Sequence, residues 1–218
     1  MISLRLKIFS ARSLFWAALI CPMVLGGIQA KTAEQQILRR GNGAELQSLD
    51  PHIVTGMPES RVLRALFEGL VALDPESLNP VPAGALSWEV FDRGTRYRFS
   101  LDPDSRWSNG DPVRASDFAE SIQRILTPEL GAGYASQLFV LRNAESYFRK
   151  EITDFTEVGV KVIDPLTLEL RLEAPTPYFL SLLVNPPWFP VHRKSIEEFG
   201  SWTSRNSEWA KPGNLISN

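Results

Sequence analysis

Cysteine and histidine are almost absent from this sequence. Cys21 is its one cysteine, and His52 and His192 are its two histidines, among 218 residues. With no second thiol, no disulfide within the chain can staple the fold, which must hold by burying a core. A protein metal site draws on three or four donors, and two distant histidines with no Cys/His cluster do not supply them. No metal and no cofactor are therefore expected. Motifs for covalent chemistry are missing as well: there is no Gly-x-Ser-x-Gly elbow, P-loop or Gly-x-Gly-x-x-Gly fingerprint. Gly41-Asn42-Gly43 is too short to cradle a phosphate and reads as a turn. No residue is assigned a catalytic role. His52 follows Asp50-Pro51 and is expected at the surface or at a hinge. Glu197-Glu198 is expected on a solvated helix face.

The beginning of the chain differs from the rest. Arg5, Lys7 and Arg12 give a basic start without an acid, Leu14 to Gly27 is apolar, and Ile28-Gln29-Ala30 offers a small residue for cleavage. That order is the pattern of a secretory signal, and about 14 apolar residues fall short of the roughly 20 that span a membrane. Ile20 precedes Cys21, where a lipoprotein would carry a small residue, so lipidation is not expected. Cleavage after Ala30 leaves 188 residues, enough for one domain or parts of two. They hold 20 basic against 25 acidic side chains, a net charge of −5. No Lys/Arg run survives, which argues against nucleic acid as a partner. No further long apolar run follows Ala30, so the mature chain is expected to be soluble.

What is present is a mixture of two periodicities. Ile37-Leu38 reads as a short strand entering the Gly-rich turn. Pro58-Glu59-Ser60 opens a helix carrying Val62, Leu63, Leu66, Phe67 and Leu70, with Gly69 near its end. Thr95 to Leu101 alternates, Tyr97, Phe99 and Leu101 against Arg96, Arg98 and Ser100, as a half-buried strand does. Trp107-Ser108-Asn109-Gly110-Asp111-Pro112 holds the tight-turn dipeptide Asn-Gly. Ser116 is placed as the cap of a helix with Phe118, Ile122, Ile125 and Leu126 on its apolar face. Val158–Ile163 and Thr167–Leu172 read as strands joined at Asp164-Pro165. Thr176-Pro177 is placed as a helix start, Pro186-Pro187 as its break, and Ser195–Phe199 as one more short helix. Trp88, Trp107, Trp188, Trp202 and Trp209 are expected mainly in packing, with one or two free to meet a ligand. The fold class is α/β in the mixed, α+β sense, without regular β-α-β alternation.

Several of these segments, read in order, resemble the family 5 extracellular solute-binding proteins. They are Ala85-Leu86-Ser87-Trp88-Glu89-Val90, Tyr97-Arg98-Phe99-Ser100-Leu101, Trp107 to Val113 and Ala115-Ser116-Asp117-Phe118. Gly43 to His52, Leu66-Phe67-Glu68-Gly69-Leu70, Gly159-Val160-Lys161, Asp164 with Thr167-Leu168-Glu169, and Pro175 to Phe179 add to the likeness, which runs from about Ile37 to Asn218. Asp102-Pro103-Asp104 departs from it, replacing a basic surface residue. The resemblance implies a two-lobed periplasmic binding protein fold, type II-like, with residues 31–67 starting lobe I, 68–192 forming a small subdomain and 193–218 returning to lobe I. Family members are more than twice as long, so the chain is expected to be an N-terminal portion, inactive alone, that exposes Leu63, Leu66 and Phe67.

The implied function is periplasmic capture of extended oligopeptides for an inner-membrane ABC permease complex, by a monomer. Capture would proceed by backbone pairing in the cleft between lobes, which is blind to side-chain identity. Positions matching the family's site are Val54, Thr55, Gly56 and Met57, and Tyr134 of the small subdomain. Thr55 stands where an acid can meet a basic ligand residue. Binding of murein peptide, haem or another solute is the alternative, and a secreted hydrolase a remote one.

Export is directly testable. Protein recovered from the cell envelope should begin near Lys31 by mass spectrometry; an intact Met1 on cytosolic protein refutes the signal reading.

Overall fold

A computed structural model describes residues 41–205 and 207–218. The export segment, the cleavage point after Ala30 and the Ile37-Leu38 strand lie outside these residues. Asn42–Asn218 is a single compact unit.

Its frame is a four-stranded antiparallel sheet. Strand β1 (Val71–Leu73) pairs with β2 (Pro80–Pro82) in a small ribbon; β3 (Ala85–Phe91), β4 (Arg96–Leu101), β5 (Val160–Asp164) and β6 (Thr167–Arg171) form the main sheet in the order β3-β4-β6-β5. Alternation in β4 sets the register. Tyr97, Phe99 and Leu101 are buried, and Phe99 stands opposite Leu168 and Tyr97 opposite Leu170 on β6. The outward residues pair by charge. Glu169 lies opposite Arg98, and its carboxylate is 2.9 Å from Arg98, 3.0 Å from Arg171 and 3.4 Å from Arg96. These arginines cover Glu169 so completely that it is buried on the sheet's polar side. Burial alone would raise its pKa; hydrogen bonds from Arg98 and Arg171 outweigh this and hold it below the ordinary value.

Helix α1 (Met57–Leu66) precedes the sheet, and α2 (Ala115–Leu126) lies against β5 and β6. Phe118, Ile122, Ile125 and Leu126 of α2 are buried, as helical spacing requires. Its cap is not Ser116, which lies inside the first turn. Arg114 occupies that position, and its backbone N–H donates to Asp117 Oδ2 at 2.9 Å. Asp117 Oδ2 also accepts the Trp107 indole N–H at 3.1 Å. One carboxylate thus ties the Trp107–Pro112 turn to the helix start. Within the turn, Gly110 has φ +92° and Trp107 N–H donates to Asp111 O at 2.8 Å.

The remaining helices are short: α3 (Ala144–Phe148), α4 (Phe179–Leu182) and α5 (Arg193–Glu198). Helix α4 starts after Tyr178, not at Thr176-Pro177, because the Thr176 hydroxyl donates to Ala174 O instead of capping. Helix α5 begins at Arg193, capped by His192, whose Nδ1 accepts the Ser195 N–H. Helix α1 stops at Leu66, since Phe67 is extended. The expected exposure of Leu63 and Phe67 is overturned. Both are buried in the main core with Trp188 and Phe189, α1 packing on the Pro186–Trp188 turn; Leu66 is half-buried. A smaller cluster joins Val191, Ile196, Trp209 and Ala210.

His52 departs furthest from expectation. It is 2% exposed, neither a surface nor a hinge residue, and belongs to a buried polar knot centred on Arg124, which is 0% exposed. The Arg124 guanidinium donates to both Asp50 oxygens, at 2.9 and 2.7 Å, to His52 Nδ1 at 3.0 Å and, through Nε, to Trp202 O at 2.7 Å. Arginine only donates, so His52 Nδ1 accepts and its Nε2–H donates to Phe189 O at 3.0 Å. The Trp202 and Trp209 rings flank the guanidinium at 5.4 and 5.6 Å. Burial, reinforced by the Arg124 charge, drives His52 from 6.5 down to about 4.

Two predictions follow from the knot. Asp50→Ala leaves a guanidinium buried and unpaired, and should cost about 3–5 kcal/mol in urea unfolding; a loss below about 1 kcal/mol contradicts the assignment. The second concerns acid. The unfolded chain protonates His52 near pH 6.5 and the folded chain only near 4. Stability is therefore full above 6.5 and falls by on the order of 3 kcal/mol as the pH drops to 4. His52→Gln should narrow the gap between melting temperatures at pH 7 and pH 4.5, and an unchanged gap refutes the assignment.

Candidate functional site

The buried knot ends at Ile53, and the chain then runs extended. Val54, Thr55 and Gly56 have no regular secondary structure, and Gly56 (φ −85°, ψ 150°) leads into α1. Among the described residues, nothing accepts a hydrogen bond from the backbone N–H of Val54, Thr55 or Gly56. Among the described residues the segment is thus an unpaired backbone edge. Glu59, in the first turn of α1, folds back beside it and accepts the Gln47 N–H at 3.1 Å. A side chain at position 56 would meet the Glu59 carboxylate, which would have to shift, so glycine serves close approach there rather than its dihedral angles.

Tyr134 comes to this edge from a distant part of the sequence. It precedes a short turn of helix at Ala135–Leu138, which lies against α2 and α3. Its hydroxyl donates to Thr55 O at 3.3 Å. Val54, Thr55, Gly56, Met57 and Tyr134 border one hollow of about 450 Å³. The five residues named from the family likeness are therefore neighbours in space, although 77 positions separate Met57 from Tyr134. Met57 is 66% and Tyr134 39% exposed, so apolar surface faces the opening.

Further polar side chains that line this hollow include Arg61, Arg64, Gln137 and Asn185. The sequence reading passes over Arg61 and Arg64 because the polar positions of an amphipathic helix read as solvated by default. Helical spacing from Met57 places Arg61 and Arg64 on its side, which was the available signal. No tryptophan borders the hollow. Val54 and Thr55 also border a larger hollow of about 770 Å³, with Glu59 and Arg205. The smaller one is the stronger candidate because it gathers Gly56, Met57 and Tyr134 as well.

One other polar grouping has the residue types of a catalytic site. His192 Nε2–H donates to Asp111 Oδ2 at 3.1 Å, and Ser195 lies three residues on. The Ser195 hydroxyl, however, donates to His192 O at 2.8 Å, so the grouping is a helix cap and gives Ser195 no base. Among the described residues, no cluster of three or more His, Cys, Asp or Glu side chains could hold a metal, and no helix is long and apolar enough to cross a membrane.

An extended edge beside a hollow, with no catalytic or metal constellation around it, has the form of a binding site for a solute. The model of bacterial extracellular solute-binding proteins, family 5 Middle, matches residues 79–218, and the chain belongs to this family. It is 40% identical to the periplasmic oligopeptide-binding protein OppA of Escherichia coli K12 over 95% of its own length. It is 37% identical to the periplasmic murein peptide-binding protein MppA of the same organism over 85%. The solved structure of Haemophilus influenzae OppA in complex with the peptide RPPGFSPFR superposes on 81% of the chain with a TM-score of 0.74 and 37% identity. The chain spans 38% of the E. coli OppA length, 33% of MppA and 33% of the H. influenzae structure. Its described part has the mixed α/β fold of these binding proteins.

Gly56→Ala should displace the Glu59 carboxylate from Gln47 and cost about 1–3 kcal/mol in chemical unfolding. Unchanged stability argues against the close approach.

Proposed function

We infer that the chain serves as the peptide-capturing component of an ABC importer in the periplasm, reached through the signal at residues 1–30. The observation that carries this reading is the open backbone edge at Val54–Gly56 beside Tyr134. An extended peptide can lay its carbonyls against those N–H groups as an added strand would. Such pairing ignores side-chain identity and suits a carrier of many sequences. Val54, Thr55, Gly56 and Met57 supply the edge, and Tyr134 closes one end of it. In this reading residues 31–67 open lobe I, 68–192 form the small subdomain and 193–218 return to lobe I. Peptide is held between the lobes by hinge closure, and the closed monomer is what the permease complex recognises. The names of the relatives, oligopeptide- and murein peptide-binding proteins, agree with a peptide ligand.

One wall pairs with one side of a peptide. Ordering an extended peptide costs on the order of 1 kcal/mol per residue, and a backbone hydrogen bond returns about as much. These 218 residues alone should therefore bind weakly, with a dissociation constant on the order of 1 mM. An amide-resolved NMR titration with tri- to pentapeptides reads so weak a contact. Shifts concentrated at Val54, Thr55, Gly56, Met57 and Tyr134 are expected. A titration that leaves those amides unmoved while others shift would exclude this site.

A further inference from the structure

We propose that this hollow selects a ligand carboxylate, held by Arg61 and Arg64. The inference rests on the peptide-binding reading above and names the ligand class that the same site prefers.

The hollow is bordered by two arginines and by no aspartate or glutamate. Arg61 and Arg64 stand three residues apart on α1, so their side chains leave one face of the helix together. Six other described arginines meet carboxylates, while Arg93, Arg106, Arg114, Arg142 and Arg205 do not. Arg96, Arg98 and Arg171 share Glu169, Arg124 holds Asp50, Arg149 holds Glu145, and Arg193 holds Glu197 and Glu120. Among the described residues, Arg61 and Arg64 have no such partner. Arg64 is nevertheless positioned. Its Nη2 donates to Asn185 Oδ1 at 3.0 Å, and its Nε lies 3.5 Å from Ser60 Oγ. Both partners are neutral, so they orient the guanidinium without cancelling its charge.

The nearest acid on the same helix does not neutralise this pair. Glu59 is buried, accepts Gln47 N–H, and borders the other hollow. Thr55 on the opposite wall is uncharged. Two arginines thus border one hollow in a mature chain of net charge −5. Gln137 also borders the hollow; its Oε1 is buried and, among the described residues, has no hydrogen-bond partner. A ligand carboxylate meets the arginines. The carboxylate can belong to an Asp or Glu side chain or to the peptide C-terminus.

The test uses the 218-residue chain and four tripeptides, all N-acetylated. Three carry a C-terminal amide, with Ala, Glu or Lys in the centre; the fourth is tri-alanine with a free C-terminal carboxylate. Dissociation constants come from the shifts of the Val54–Met57 amides. At low salt the Glu peptide should bind about tenfold more tightly than the Lys peptide, with the Ala amide between them. Ionic strength near ~1 M should shrink that ratio, since both arginines are exposed. The double variant R61Q/R64Q, whose other amide shifts verify an intact fold, should bring the ratio to about one. A gain by the free carboxylate of tri-alanine, larger than that of the Glu side chain, assigns the pair to the peptide terminus and keeps the carboxylate site. Equal constants for the Glu, Lys and free-acid peptides, with shifts still at Val54–Met57, overturn the proposal and leave peptide binding standing. No shift at those amides with any peptide overturns both.

Discussion

A guanidinium shut away from water must be matched on nearly every side, and Arg124 shows what that demands of a chain. Asp50 supplies two oxygens, His52 a ring nitrogen, Trp202 a carbonyl, and two indole rings flank the plane. With Arg124 itself and the carbonyl that holds His52, the knot draws on four stretches: the turn at Asp50–His52, the last turn of α2, the Phe189 bend, and the segment carrying Trp202 and Trp209. Burying an ion pair yields little net stability, because desolvation cancels most of the attraction. It does punish every alternative arrangement, since each would leave a buried charge unmatched. The knot therefore acts on position.

That position passes directly to the site. Val54 follows the knot after a single residue, and α1 begins three residues later. The open edge inherits its place from Asp50 and His52. Tyr134 inherits its own from the turn packed on α2, the helix that carries Arg124. Both walls of the hollow are thus referred to one side chain, although neither touches it.

How much of this was legible depends on the range of the signal. The β4 alternation, the Asn109-Gly110 turn and the apolar face of α2 are local, and their residues fall where the periodicity places them. Phe67 was given to α1 for its spacing, yet it begins an extended stretch because tertiary packing on Phe189 and Trp188 claims it. Ser116 has the chemistry of a cap, but Asp117 already serves that turn. His52 could not be read at all. Its partners lie 72 and 137 positions away, and a lone histidine after Asp-Pro carries no sign of them. Residues 54–57 and Tyr134 were found through likeness to a family, since an irregular extended segment has no period of its own.

The bond from Tyr134 to Thr55 O has a consequence for how the edge meets other chains. A strand edge ordinarily offers donors and acceptors in turn, and two copies can zip together through both. Here the phenol donates to the Thr55 carbonyl, while among the described residues nothing accepts from the neighbouring N–H groups. A chain that pairs here through the Thr55 oxygen shares it with a tyrosine hydroxyl, at a carbonyl that still has a second lone pair to give.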